Sequence, residues 1–302
     1  MVETLASIAI LVLLAWPSPA LAQEMSLPST ELEQATRPGT IQFDRHSKHV
    51  DDQFRIYVGL PESYEEGAQE SFATLYVLDA NGFFETALDA VRRIESTSNG
   101  SQTIVVGVGY PVQDFRKTWA LRARDYGPAP DPTHFYNVMV EQLLGAQPAE
   151  NKGGGARRFL EFLEEELIPE IEAEFRVRPD DRTILGTSLG GTFALYTLFE
   201  NPALFDNYIV GSPALSWGGG FLAEQERRLW AEKDSIEARV YMAIGANEGP
   251  GVAELFGMGA ALRRYDALDL EIEVFEGENH ISVVPLIVNG GVAAIYRDEM
   301  RE

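Results

Sequence analysis

The sequence contains no cysteine, which excludes disulfides, thiolate metal sites and a thiol nucleophile together. It also removes the lipidated cysteine by which a bacterial lipoprotein would be tethered. Histidine is scarce, with 4 among 302 residues, so chemistry that needs an imidazole has few candidates. Basic residues are few as well: 24 Lys and Arg against 47 Asp and Glu give a formal charge of −23. Such a surface repels phosphate backbones, so no nucleic acid or anionic membrane is expected as a partner. A solubility role accounts for this charge, with attraction of cationic ligands as the alternative.

Long apolar runs are absent apart from Leu5 to Trp16, which is too short to cross a bilayer comfortably. Pro17 and Pro19 break it, and Ala20-Leu21-Ala22 gives the small-x-small pattern of a cleavage site. A signal peptide is therefore expected over residues 1–22, with a periplasmic or secreted mature chain and no stable membrane insertion. Glu3 stands where a basic start is usual, and an uncleaved anchor is the alternative.

What is present is ordinary for a globular chain, with 45% hydrophobic and 24% charged residues. Residues 23–40 read as a loose polar leader. Buried or half-buried strands are expected at 53–60, 72–78, 103–108, 182–185, 208–211, 240–244 and 270–275. Helices are expected at 83–94, 156–174, 192–201, 221–233 and 252–268, with Pro169 kinking the second of these. Residues 111–148 look irregular, with a short helix at 135–144, and suggest a lid or pocket wall. Strands and helices alternate, with no repeat or linker. That predicts one α/β domain over 23–302: a mainly parallel sheet with helices on both faces, in three layers.

One stretch carries chemistry. Gly186-Thr187-Ser188-Leu189-Gly190-Gly191 lies between an expected strand and an expected helix. A nucleophilic serine needs a tight, strained strand-to-helix bend with small neighbours, which is the nucleophile elbow of α/β-hydrolases. The bend also puts the Leu189 N–H at a helix start, where it can bind an oxyanion. A glycine-rich turn with a capping serine is the plainer alternative. Of His46, His49, His134 and His280, only His280 follows Ser188, in a polar loop just past the last expected strand. In that fold order, the loop after 240–244 should supply the acid, and Glu248 stands there. Glu254, Glu276 and Glu278 compete for the role. Asn81, after the 72–78 strand, is the candidate for the second oxyanion N–H, unless it belongs to an ordinary turn.

The stretches LYVLDANGFF (75–84), RARDYGP (122–128), GGGARRFLEFLEEELIPEIEAEF (153–175), ILGTSLGGTFALYTLFENPALFDNYIVGSPALSW (184–217) and YMAIGANEG (241–249) occur in that order. With them and the His280 loop, the chain resembles the esterase family of α/β-hydrolases that includes esterase D, the mycolyltransferases and the enterochelin-type siderophore esterases. The resemblance implies Ser188 as nucleophile, Glu248 as acid, His280 as base, and backbone donors at Asn81 and Leu189. It implies a serine esterase acting on a small-molecule ester without metal or organic cofactor. It further implies ligand contacts from Arg122 or Arg124. The resembling enzymes carry two tryptophans after the segment that follows the nucleophile helix, where this chain has Trp217 alone. Trp119 and Trp217 are candidate pocket residues or packed hydrophobes, and the two arginines could instead be structural ion partners. Acyl transfer to another hydroxyl, or a binding protein that keeps the fold without catalysis, are the alternatives to hydrolysis.

Overall fold

In the computed structural model, eight strands form one sheet in the order β1-β2-β4-β3-β5-β6-β7-β8. The structure describes residues 37–64, 69–97, 100–112 and 114–297. The expected export segment and nearly all of the leader lie outside these residues. From Pro38 onward the chain makes one compact unit.

The strands are β1 (Thr40–Ser47), β2 (Asp52–Gly59), β3 (Phe72–Val77), β4 (Thr103–Gly109), β5 (Val177–Thr187), β6 (Asn207–Gly211), β7 (Ser235–Gly245) and β8 (Asp266–Phe275). β1 and β2 pair antiparallel, as do β2 and β4; every other neighbouring pair is parallel. Parallel strands require crossovers, and the helices supply them. The helices are α1 (Ala80–Glu95), α2 (Phe115–Tyr126), α3 (Phe135–Leu144), α4 (Ala156–Phe162), α5 (Ile168–Glu174), α6 (Leu189–Glu200), α7 (Trp217–Glu232), α8 (Pro250–Leu262) and α9 (Val284–Tyr296).

Alternation along each strand divides the core into two sets. In β3, Ala73, Leu75 and Val77 face α1 and α9. Phe72 and Tyr76 of that strand, with Leu78 just beyond it, join the opposite set, together with residues of α2, α4, α6 and α8. Both faces of the central strands are buried, so those strands read as continuous apolar runs. The result is the expected three-layer α/β/α architecture. Each fully buried Leu, Val or Phe contributes about 1.5–3 kcal/mol of transfer free energy, so the two covering layers dominate the stability.

Several boundaries differ from the sequence expectation for local reasons. Residues 111–148 hold the expected helix at 135–144, as α3, and in addition α2, which was read as irregular. The Asp114 carboxylate accepts from Arg116 N at the start of α2, and the His134 imidazole accepts from Tyr136 N at the start of α3. The stretch 156–174 runs through a π turn at Leu163–Leu167, where Ile168 N donates back to Leu163 O. Widening the ladder there seats Pro169, which has no N–H to give. α8 ends at Leu262, six residues earlier than expected, because Tyr265 N folds back to Leu262 O and Asp266 N joins Asp234 O beside β7. α7 begins with Gly218, Gly219 and Gly220 in left-handed conformations (φ 62°, 68° and 88°), so its regular part starts near Phe221.

Candidate active site

Five neighbouring strands, β3, β5, β6, β7 and β8, end at the same edge of the sheet, and each end delivers a polar residue. In open α/β sheets the crevice beyond the carboxyl ends of the strands is the usual ligand site.

Ser188 follows β5 directly, with φ 57° and ψ −122°, a conformation that side-chain-bearing residues seldom adopt. Holding it costs of the order of 1–3 kcal/mol, which the surrounding structure must supply. The glycines make the bend possible. A Cβ on Gly186 would collide with the carbonyl of Gly190, and one on Gly191 would lie 2.7 Å from Gly211 O. Ser188 N donates to Gly211 O at 2.8 Å, which ties the bend to the end of β6. Leu189 opens α6, whose first N–H groups have no partner within the helix.

β6 runs into Ser212, itself at φ 40°. Ser212 N donates to Ala243 O at 2.8 Å, and its hydroxyl donates to Glu248 Oε1 at 2.6 Å. Gly245 N donates to the same oxygen at 2.9 Å. The other carboxylate oxygen, Glu248 Oε2, lies 2.6 Å from His280 Nδ1. Side-chain hydrogen bonds therefore run from Ser212 through Glu248 to His280, and the residue before Ser212, Gly211, accepts from the Ser188 N–H. Glu248 lies just past β7 and His280 just past β8, and Asn247 N donates to Glu278 O at 2.9 Å, joining their two loops. Partial burial works to raise the Glu248 carboxyl's pKa. His280, Ser212 and Gly245 N overrule it and hold the group below the usual carboxylate range. The ionised carboxylate can only accept, so Nδ1 carries the ring proton and Nε2 is left as an acceptor.

That depressed pKa has a consequence for stability. The contribution is present above the ordinary carboxylate pKa of about 4.3 and is lost as the pH falls through the lower folded value. In thermal unfolding from pH 7 to pH 3, wild type should lead Glu248→Gln at neutral pH, and the gap should close below about pH 4. A gap that persists unchanged to pH 3 would show that these donors do not favour the charged form.

Asn81 lies in the first turn of α1, not in a hairpin. Its side chain is occupied on both sides: Nδ2 donates to Tyr110 O at 2.9 Å, and Tyr110 N donates to Oδ1 at 2.7 Å. This clamps the turn after β3 to the end of β4 and leaves the backbone N–H as the group available for the role proposed from the sequence.

Of the four residues considered as ligand contacts, Arg122, Arg124 and Trp217 take the structural alternative. Arg122 is 9% exposed, with Nε and Nη2 on the two Asp79 carboxylate oxygens at 2.8 and 2.7 Å. Burial alone would ease its proton off; Asp79 and the Tyr136 hydroxyl more than offset this and keep the guanidinium charged. Leaving either member of such a buried pair alone would cost about 3–5 kcal/mol. Arg124 is also turned inward, bonded through Nε to Asp125 Oδ1 and through Nη1 to Asp52 Oδ2, each at 2.7 Å. Trp217 is 1% exposed and donates its indole N–H to Ala129 O at 2.8 Å. These three side chains are spent on packing and ion pairing. Trp119, on α2, keeps part of its surface open, and its carbonyl accepts from Tyr136 Oη at 2.9 Å.

Sequence reasoning gave no role to Ser212 or Asp79, and it named His134 only to set it aside as a base. Ser212 and Asp79 stand within the stretches 184–217 and 75–84, but only the fold shows what they touch. The His134 ring packs at a tilt against Trp217, 4.7 Å between centroids, and against Phe135 at the same distance. Asp131 Oδ2 accepts from Gly218 N at 2.9 Å, so the start of α7 is tied to the 111–148 insertion.

Residues 47–248 match the family model described as "Putative esterase". The chain belongs to this esterase family. It is a carboxylic-ester hydrolase, as the family and its relatives named esterases indicate. The esterase is 30% identical over 266 residues to the ferri-bacillibactin esterase BesA of Bacillus subtilis, covering 84% of this chain and 88% of that one. It is 29% identical over 255 residues to the siderophore triacetylfusarinine C esterase of Aspergillus fumigatus, covering 74% and 81%. Among solved structures it is similar to the BES protein from Bacillus cereus, with a TM-score of 0.76, 31% identity and coverage of 89% and 98%. Among the described residues of the esterase, no helix is long and apolar enough to cross a membrane. No cluster of three or more His, Asp or Glu suited to a metal ion occurs among them either.

Proposed function

We propose that this esterase cleaves a siderophore-type ester through an acyl-enzyme formed on Ser188. His280 Nε2 takes the serine proton as Oγ bonds to the ester carbonyl carbon. The oxyanion is received by the N–H groups of Leu189 and Asn81. As the tetrahedral species collapses, the C–O bond to the alcohol breaks and His280 returns its proton to the leaving oxygen. Water then repeats the sequence on the acyl-enzyme and releases the acid. Glu248 orients the imidazole and stabilises its charged form.

The observation that carries this reading is the 2.6 Å contact between Glu248 and His280 Nδ1, on the strand edge where Ser188 stands in its strained bend. Support for the substrate comes from the names of the relatives, which specify ferri-bacillibactin and triacetylfusarinine C. The amino-terminal apolar segment supports an exported, periplasmic or secreted site of action.

An organophosphonate should attach to Ser188 in stoichiometric amount, shown by mass spectrometry of the labelled peptide. Labelling elsewhere, or none, would dismiss the acyl-enzyme. A panel of p-nitrophenyl esters, a feruloyl ester and a catecholate triester should then show the triester cleaved with the highest kcat/KM. Release of free acid that is unaffected by an added alcohol separates hydrolysis from acyl transfer.

A further inference from the structure

The two proposed oxyanion donors lie on different turns, Leu189 after β5 and Asn81 after β3. These strands are neighbours, and their pairing ends near Val77 and Leu185. Beyond that point Asp79 and Ser188 both take positive φ, 54° and 57°, so each turn leaves the sheet sharply. The distance between the two N–H groups is thus not fixed by the strand ladder.

One guanidinium spans the gap. Arg122 reaches from α2, grips both carboxylate oxygens of Asp79 and donates through Nη2 to Thr187 O at 3.2 Å, the carbonyl just before the nucleophile. Asp79 Oδ2 also lies 3.3 Å from where a Cβ on Gly190 would sit, so the carboxylate packs against the first turn of α6. Arg122 is held in turn, with Nη1 donating to Tyr136 Oη at 3.3 Å. Asp79 N donates to Tyr126 Oη at 3.2 Å, a second tie to α2. Replacing a buried ion pair by packed apolar residues is often neutral or stabilising, so stability alone does not explain this pair. A planar fork that meets two turns at once does.

We infer that the Asp79–Arg122 pair is a brace that fixes the spacing of the oxyanion hole, making Arg122 a positioning residue for turnover. The inference rests on the Ser188 reading above. Its test is steady-state kinetics with kcat expressed per Ser188 titrated to completion by an organophosphonate. Arg122→Met should lower kcat about 100-fold while KM changes less than about threefold, since displaced donors fail chiefly in the transition state. Arg122→Lys, which restores the charge without the fork, should recover about tenfold of that loss. Inhibition by a trifluoromethyl ketone, which builds an oxyanion on the serine, should weaken in step with kcat.

A lower melting temperature with kcat per titrated site unchanged would overturn the brace and leave a merely structural pair. A rise in KM at constant kcat would overturn it in favour of ligand binding. Should Arg122→Met fail to fold, Arg122→Lys and the near-isosteric Asp79→Asn carry the same measurements. An inactive Ser188→Ala beside a normal Arg122→Met sinks the brace alone; an active Ser188→Ala sinks the acyl-enzyme reading itself.

Discussion

Ser188→Ala is expected to lower kcat by about five to six orders of magnitude on any ester the wild type cleaves, with the melting temperature within a few degrees. The substitution removes one oxygen and leaves the backbone strain at φ 57° as it was. The bond from residue 188 N to Gly211 O also survives, because it uses the main chain. What disappears is the only atom that can form the acyl-enzyme. A residual rate about 10³–10⁴ above water is expected, since the oxyanion donors and the bound ester remain in place. Initial rates on a p-nitrophenyl ester, with the labelled peptide absent by mass spectrometry, check both halves of the statement. More than about one percent of wild-type kcat would exclude Ser188 as the nucleophile.

The second large effect comes from a residue that has no chemistry of its own. Gly186→Ala places a methyl group against the Gly190 carbonyl, and main chain, unlike a flexible side chain, cannot swing aside. α6 would have to move off the end of β5. Overpacking of this kind costs about 1–3 kcal/mol, and a displacement of about 1 Å at the reacting atoms lowers turnover by about 100-fold. Gly186→Ala should therefore lower both the melting temperature and kcat, where Ser188→Ala lowers kcat alone. Wild-type kinetics in Gly186→Ala would show that the bend has room to spare and that its tightness is irrelevant to catalysis.

The central strands and the helices between them were legible because burial on both faces writes an apolar run, and a helix writes its own period. β1 was not read, since Thr40–Ser47 is a largely exposed edge strand whose composition matches its polar surroundings. Within 111–148, α3 was legible at 135–144, whereas α2 was obscured by proline and aromatics; its start depends on a cap from Asp114, which is a local hydrogen bond rather than a pattern of hydrophobicity. The candidate residues at strand ends, Ser188, Glu248 and His280, could be placed because strand order and loop position constrain them, and Glu248 does meet His280. For Arg122, Arg124 and Trp217 the sequence left ligand contact and structural pairing both open, because, apart from Asp125 beside Arg124, their partners are remote in sequence. Asp79 lies 43 positions from Arg122, Asp52 lies 72 from Arg124, and Ala129 lies 88 from Trp217. No reading of neighbours along the chain supplies such pairings.

The bonds from Trp217 to Ala129 and from Gly218 to Asp131 weld two segments distant in sequence into one unit. Swapping substrate preference between homologues by loop grafting would therefore require moving both segments as one cassette. A graft of the 111–148 segment alone that lacks an acid at position 131 would leave Gly218 N without its side-chain acceptor, and the chimera should melt at a lower temperature than one that carries both segments.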